Sequence, residues 1–247
     1  ILYRGLRGDE FELFTSLDRF YKDEGKRIDI CKVEEQFLND FQRRYRNYSY
    51  YPPEENNQMA WWSIMRHYGA PTRILDWTYS YYIALFFALE DLDMDKKPAI
   101  WVIKAESLDK KLEEKNVELY EEIKKDRYLN DPKTFEKFDK ESIVLKMNPY
   151  VLHERLSVQQ GCFLLPGDIK NNFLENLTKF YGSKKELRKN LFKFIINCNY
   201  ENRKKAIKEL YRMNISRASL FPGLDGFAAT LKTLSYIIAD SKPGSAG

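Results

Sequence analysis

Glycine and proline are scarce in this chain, 11 and 9 among 247 residues, which excludes long flexible linkers and low-complexity segments. Cysteine is limited to Cys31, Cys162 and Cys198, widely separated and without a Cys-x-x-Cys pair. That supports neither a disulfide framework nor a zinc knuckle, and makes a reducing cytoplasm the default compartment. With only His67 and His153, a His-based metal site is not expected. No apolar run reaches the roughly 18–20 residues that span a bilayer. The nearest, Ile83 to Leu89, has the length of a buried helix segment, so no membrane partner is expected. Charge is not one-sided either: 41 basic against 37 acidic side chains leave a net +4, short of the clustered excess of a dedicated nucleic-acid binder.

What is present is apolar and aromatic: 43% hydrophobic residues with 17 Tyr and 16 Phe, ample for a packed core. The chain opens on Ile1, which leaves room for an upstream segment or signal. Ile1 to Gly8 reads as a strand feeding a turn, and Asp9 as the cap of a helix to about Gly25 with Phe11, Phe14, Leu17, Phe20 and Tyr21 on one face. A helix from about Val33 carries Phe37, Leu38, Phe41 and Tyr45. Pro52-Pro53 marks a loop, and a helix from about Asn57 stops near Gly69, a residue suited to a left-handed cap. A strand-like segment over 71–78 is followed by Ser80, which can cap a helix from Tyr81 to Glu90. Pro98 to Lys104 is a β-branched run expected as a buried strand. Leu108 to Tyr128 reads as helical, the stretch to Ser142 as a solvated insertion, and Ile143–Met147 and Gly161–Leu165 as short strands. From a Ser183-x-x-Glu186 capping box the pattern is helical, with Leu187, Leu191, Phe194 and Ile195 beneath it, then helices at about 201–213 and 224–238.

Three segments concentrate chemically useful side chains. His67-Tyr-Gly-Ala-Pro-Thr-Arg-Ile-Leu-Asp-Trp-Thr78 sets imidazole, guanidinium, carboxylate, indole and hydroxyl groups at a strand end, as a site on a rigid scaffold requires. Equally, Asp76 and Thr78 can be helix caps and His67 a structural side chain. In Tyr3-Arg4-Gly5 an arginine at a strand end can present its fork to phosphate beside a closely approaching backbone. In Arg155 to Phe163, Gln159 and Gln160 either read a ribose hydroxyl or base edge, or hold buried backbone groups. Lys184, Lys185, Arg188, Lys189, Lys193, Arg203, Lys204 and Lys205, interleaved with Phe192 and Phe194, form either a nucleic-acid-binding face or a solvated helix surface.

Tyr3-Arg4-Gly5, the 67–78 segment with Ala84 and Phe87-Ala88 behind it, Arg155-x-x-x-Gln159-x-Gly161-x-Phe163 and the closing Leu220-Phe-Pro-Gly-Leu-Asp-Gly226 together resemble the FRG domain, a bacterial family named for its Phe/Tyr-Arg-Gly start. The resemblance runs from Ile1 to about Leu234. It implies one domain over residues 1–240, followed by a flexible tail at 241–247, and a cytoplasmic prokaryotic or phage protein with a role in phage defence or a toxin-type system.

A more distant resemblance is to ADP-ribosyltransferases of the Arg-Ser-Glu type, in the order Arg4, then Asp76-Trp77-Thr78 with Ala84 and Phe87-Ala88, then Gln159-Gln160-Gly161 before Leu164-Leu-Pro-Gly167. It implies an α+β fold with a small mixed or antiparallel sheet core, flanking helices and a helical C-terminal part from about residue 180. It implies NAD as the cofactor, with Arg4 on the dinucleotide phosphates, Asp76 or Thr78 on the nicotinamide ribose and Gln159 at the ribose hydroxyl as an oxocarbenium-like centre develops. Tyr3, Gly5, His67, Thr72, Arg73, Trp77, Arg155 and Gln160 complete the implied binding site, and no metal is called for. Two departures stand out: Gly161 occupies the position of the catalytic Glu, and Asp-Trp-Thr replaces Ser-Thr-Ser. Transfer would therefore need another acid, such as Asp76 or Glu154. The expected function is an NAD-binding or NAD-cleaving transferase with a protein or nucleic-acid acceptor and a phage-derived trigger. The alternative is a non-catalytic module that senses a nucleotide, nucleic acid or phage protein; a third is a nuclease using His67 with Asp76.

Overall fold

The computed structural model describes residues 1–25, 27–90, 94–126, 129–149 and 154–239. His153 and the expected tail at 241–247 lie outside the described residues. Six strands, β1 (Leu2–Leu6), β2 (Leu75–Thr78), β3 (Ala99–Ile103), β4 (Val144–Met147), β5 (Gly161–Pro166) and β6 (Leu191–Ile195), form one open sheet ordered β4-β5-β2-β1-β3-β6. Every neighbouring pair is antiparallel, which meets the α+β expectation.

Strand alternation sends two sets of side chains to opposite faces. Leu2, Leu75, Trp77, Ile103 and Leu164 enter the main core with Met59, Trp62 and Met65 of α3 (Gln58–His67) and Phe173, Leu177 and Phe180 of α9 (Phe173–Tyr181). On the other face, Tyr3, Ile100 and Val102 pack with Ala84 and Ala88 of α4 (Tyr81–Leu89). Gly5 explains how close that packing is: a Cβ there would sit 1.9 Å from the Ala84 carbonyl oxygen. The Gly of Tyr-Arg-Gly and the two alanines of α4 thus form one helix-on-strand contact. Ser80 caps α4 as its sequence predicts, and Asn57 and Gly69 (φ +84°) bound α3.

Several elements differ from the sequence expectation. Residues 9–15 are not helical; α1 (Ser16–Asp23) starts at Thr15, whose reciprocal capping box with Asp18 satisfies the first N–H groups better than Asp9 could. α2 (Ile30–Tyr45) begins three residues before Val33 because Asp29 caps it. The 108–128 segment is two helices, α5 (Glu106–Lys115) and α6 (Val117–Lys125), divided at Asn116, which caps the second. The supposed solvated insertion holds α7 (Pro132–Phe138), whose Phe138 is fully buried. After α10 (Lys184–Leu187), a single short turn of helix, Leu191–Ile195 is an edge strand on β3 and not a helix face. α11 (Tyr200–Arg212), α12 (Arg217–Leu220) and α13 (Leu224–Ala239) are helical.

Three of the basic residues read as either a nucleic-acid-binding face or a solvated helix surface are engaged within the chain. Lys189 pairs with Glu186 at 2.7 Å, Lys193 donates to the Asp9 carbonyl and lies over Trp101, and Arg203 is 1% exposed.

Arg73 is likewise a structural residue. Its side chain is 4% exposed and its Nε donates to both oxygens of Glu34, itself 7% exposed, at 2.8 and 3.0 Å. Nη1 donates to Asp139 at 2.7 Å and to the Gly167 carbonyl at 3.1 Å, while the guanidinium lies over Trp62. This knot ties α2, the entry to β2, the end of α7 and the end of β5 together.

Candidate functional site

The sheet parts between β1 and β2. These strands share one paired position, Tyr3 with Thr78, whereas β1 pairs with β3 over all five of its residues and β2 with β5 over all four. Beyond that position a side chain bridges the strands: Arg4 Nη1 donates to the Asp76 carbonyl at 2.6 Å, satisfying a strand acceptor that β1 backbone does not reach. The split opens into a cleft of about 490 Å³, within the range of small-molecule sites. Its walls come from β1, β2, α1 with the segment before it, α3, α4 and the α8 (Glu154–Val158) to β5 turn.

Asp76 is the acidic centre of the cleft. Arg66 binds it with Nε at 2.8 Å and Nη2 at 2.5 Å, and Arg4 Nη1 stands 3.8 Å away, all toward Oδ2. Burial works to raise the Asp76 carboxyl, but Arg66, then Arg4 and Arg155, outweigh it and hold the group below its ordinary value. Asp76 is therefore a carboxylate throughout the neutral range and no proton donor there. Arg66 is raised in turn by Asp76. Burial pushes Arg4 down to about 10, Asp76 opposing and Arg66 and Arg19 adding to the shift; it remains a cation at neutral pH. Arg155 is lowered by burial and by Arg66 and Arg217, against Asp76. Its guanidinium lies 4.2 Å from the Phe221 ring, and Arg217 lies 4.3 Å from the same ring.

Tyr3, Arg4, Gly5, Asp76, Trp77, Thr78, Arg155 and Gln159 all line this cleft. The remaining predicted residues do not. Thr72 is fully buried and joined to Ser16, whose hydroxyl accepts from its N–H at 2.9 Å; Arg73 belongs to the ion-pair knot. His67 lines an adjoining recess of about 30 Å³ with Asp76 and Arg66, room for a water and not for a nucleotide. Gln160 is exposed in a left-handed conformation (φ +45°) and turns the chain into β5. Glu154, an alternative acid, is exposed and outside the lining.

Among residues that do line the cleft, several are engaged by the protein itself. The Thr78 hydroxyl donates to the Gln159 carbonyl at 2.8 Å and accepts from Ser80 N–H at 3.0 Å. The Gln159 amide donates to the Leu220 carbonyl at 2.8 Å, which ties the turn to α12. Trp77 is 3% exposed in the core. At Gly161 a Cβ would meet Leu156 Cδ1 at 2.4 Å and the Leu156 carbonyl at 3.3 Å, so the turn packs closely against α8.

The sequence did not single out Arg19, Arg66 or Glu12, and gave Phe14, Phe87 and Glu90 no place in the site, yet all six line the cleft. Arg66 sits beside His67 on α3, and only its face on the helix directs it to Asp76. Arg19 comes from α1, far away in sequence, and no local signal marks it. Glu90 accepts from Arg217 Nε and Nη2 at 2.7 and 3.0 Å.

Fold and site together define an α+β protein with an arginine-rich cleft where an antiparallel sheet splits. Residues 1–97 match the family model of the FRG domain. That span carries Arg4, Arg19, Arg66, Asp76 and Thr78, whereas Arg155, Gln159 and Gly161 lie beyond it. No curated protein and no solved structure matches the chain.

Proposed function

We propose that the cleft binds a nucleotide of the NAD type through its phosphates, and that the protein is an ADP-ribosyltransferase-like or NAD-cleaving effector of a cytoplasmic phage-defence or toxin-type system. One observation carries this reading: Arg4, Asp76, Thr78 and Gln159, from three distant segments, line a single cleft. Arg4 and Arg155 are the phosphate donors, suited by their forked geometry. The substrate would supply a glycosidic bond whose breakage leaves positive charge on the ribose, and Asp76 offers an ionised oxygen to that charge. Thr78 and Gln159 act on the shape of the site, because their polar atoms brace the β2 end, the α8–β5 turn and α12.

A second reading, binding without turnover, is favoured by Gly161 at the catalytic-acid position and by the hold of Arg66 on Asp76. Incubating the protein with NAD and protein or nucleic-acid acceptors, with nicotinamide release and thermal stabilisation measured together, separates the two. Release supports transfer or cleavage. Stabilisation without release supports sensing, and neither one removes both readings.

A further inference from the structure

The cleft holds more positive charge than a plain dinucleotide can match. Arg4, Arg7, Arg19, Arg66 and Arg155 line it against Glu12, Asp76 and Glu90. Arg66 is matched by Asp76, and Glu90 by Arg217. At the exposed rim Glu12 balances Arg7 in charge. Arg4, Arg19 and Arg155 remain: Arg4 only shares, at 3.8 Å, the Asp76 carboxylate that Arg66 already holds, Asp18 and Asp23 attract Arg19 from outside the lining, and the hydrogen bonds and ring contact of the three are to neutral groups. Arg4 donates to the Asp76 carbonyl at 2.6 Å, Arg19 to the Phe14 carbonyl at 3.0 Å, and Arg155 lies on the Phe221 ring at 4.2 Å. Arg4 Nε is also buried without a hydrogen-bond partner, a donor the protein leaves unused. Guanidiniums gathered in a partly dehydrated cleft repel one another, and each oxyanion that enters relieves that repulsion while meeting a fork of donors.

We infer that the site selects a small nucleotide bearing at least three negative charges, a nucleoside triphosphate or a dinucleotide with an additional phosphate, over a dinucleotide whose pyrophosphate carries two. The inference rests on the reading of the cleft as a nucleotide site. It is tested by titration calorimetry of the whole chain with NAD, NADP, ATP and inorganic triphosphate, each at low and near-physiological salt. NADP or ATP is expected to bind about tenfold or more tighter than NAD, with a margin that shrinks as salt rises. The stronger of the two tells which chemistry carries the extra charge. Arg19→Gln, at an exposed position, and Arg155→Gln are each expected to narrow the margin. Equal affinity for NAD and NADP with no tighter ATP overturns the inference and leaves the nucleotide reading standing. A margin untouched by both variants, or inorganic triphosphate binding as tightly as ATP, overturns it as well. Binding of none of the nucleotides removes the nucleotide reading together with the inference.

Discussion

Replacing Arg73 by Met tests whether the 67–78 segment is chiefly a ligand site or chiefly a structural anchor. The substitution keeps an unbranched apolar stem of similar reach but removes the positive charge that, among the described residues, pairs with both Glu34 and Asp139, with side chains 7% and 24% exposed. It also leaves the Gly167 carbonyl with the Lys140 N–H alone, at 3.4 Å. Breaking one side of a buried pair costs about 3–5 kcal/mol, because the remaining charge stays dehydrated and unmatched. That is a large share of the total stability of about 5–15 kcal/mol of an ordinary domain. At roughly 2–4 °C per kcal/mol for a chain of this length, Tm should fall by roughly 6–20 °C. Denaturant unfolding of Arg73→Met and of Arg73→Met/Glu34→Met gives the comparison. The double variant should recover most of the loss, since a buried pair replaced by apolar side chains is often near neutral. Nucleotide binding per folded molecule should be unchanged in both, because Arg73 lies outside the cleft. A single variant within about 1 kcal/mol of wild type, a double variant less stable than the single, or selective loss of ligand binding would refute the reasoning.

Gly5→Ala should destabilise by about 3 kcal/mol or more in denaturant titration. Ala84→Gly should not rescue it, because the obstruction is the residue-84 carbonyl oxygen 1.9 Å from the new Cβ. Burial raises the Asp18 carboxyl from 3.8 to about 6, against the backbone N–H groups of Thr15 and Phe173. The folded state thus holds this proton at a pH where the unfolded chain has released it, and the contribution of Asp18 to stability falls as pH rises from about 4 to about 6 and is flat above. Asp18→Asn should remove that slope and stabilise at pH 7 by on the order of 2 kcal/mol, read from unfolding at pH 4.5 and 7; a steeper slope in the variant would contradict the assignment. Arg4→Met should raise the stability of the ligand-free protein by about 1 kcal/mol, since the dehydration of the cation outweighs both its hydrogen bond to the Asp76 carbonyl and its 3.8 Å approach to the Asp76 carboxylate. The same variant should abolish nucleotide-induced thermal stabilisation, and retention of that shift would remove Arg4 from the site.

Much of the fold is local and therefore legible along the chain. Asn57, Ser80 and Gly69 mark helix ends by their own side-chain chemistry or backbone freedom, and the β-branched run at 99–103 is a strand. The misreadings share a cause. Leu191 to Ile195 carries apolar residues at spacings that suit a helix, and only the available edge of β3 makes it a strand. The 9–15 segment has helical spacing too, but it is drawn into the cleft wall through Phe11, Glu12 and Phe14.

The sequence alone determined the order of the motif segments and the presence of guanidinium, carboxylate and amide groups within them. It could not say which of two neighbouring residues faces the ligand, because that depends on how a strand alternates and where it loses its partner. Asp76 enters the cleft while Arg73, three residues earlier, is locked into the core knot, and Arg66 and Arg19 arrive from helix positions outside every motif. Only the tertiary structure, by splitting the sheet after Tyr3 and Thr78, turned scattered charges into one site.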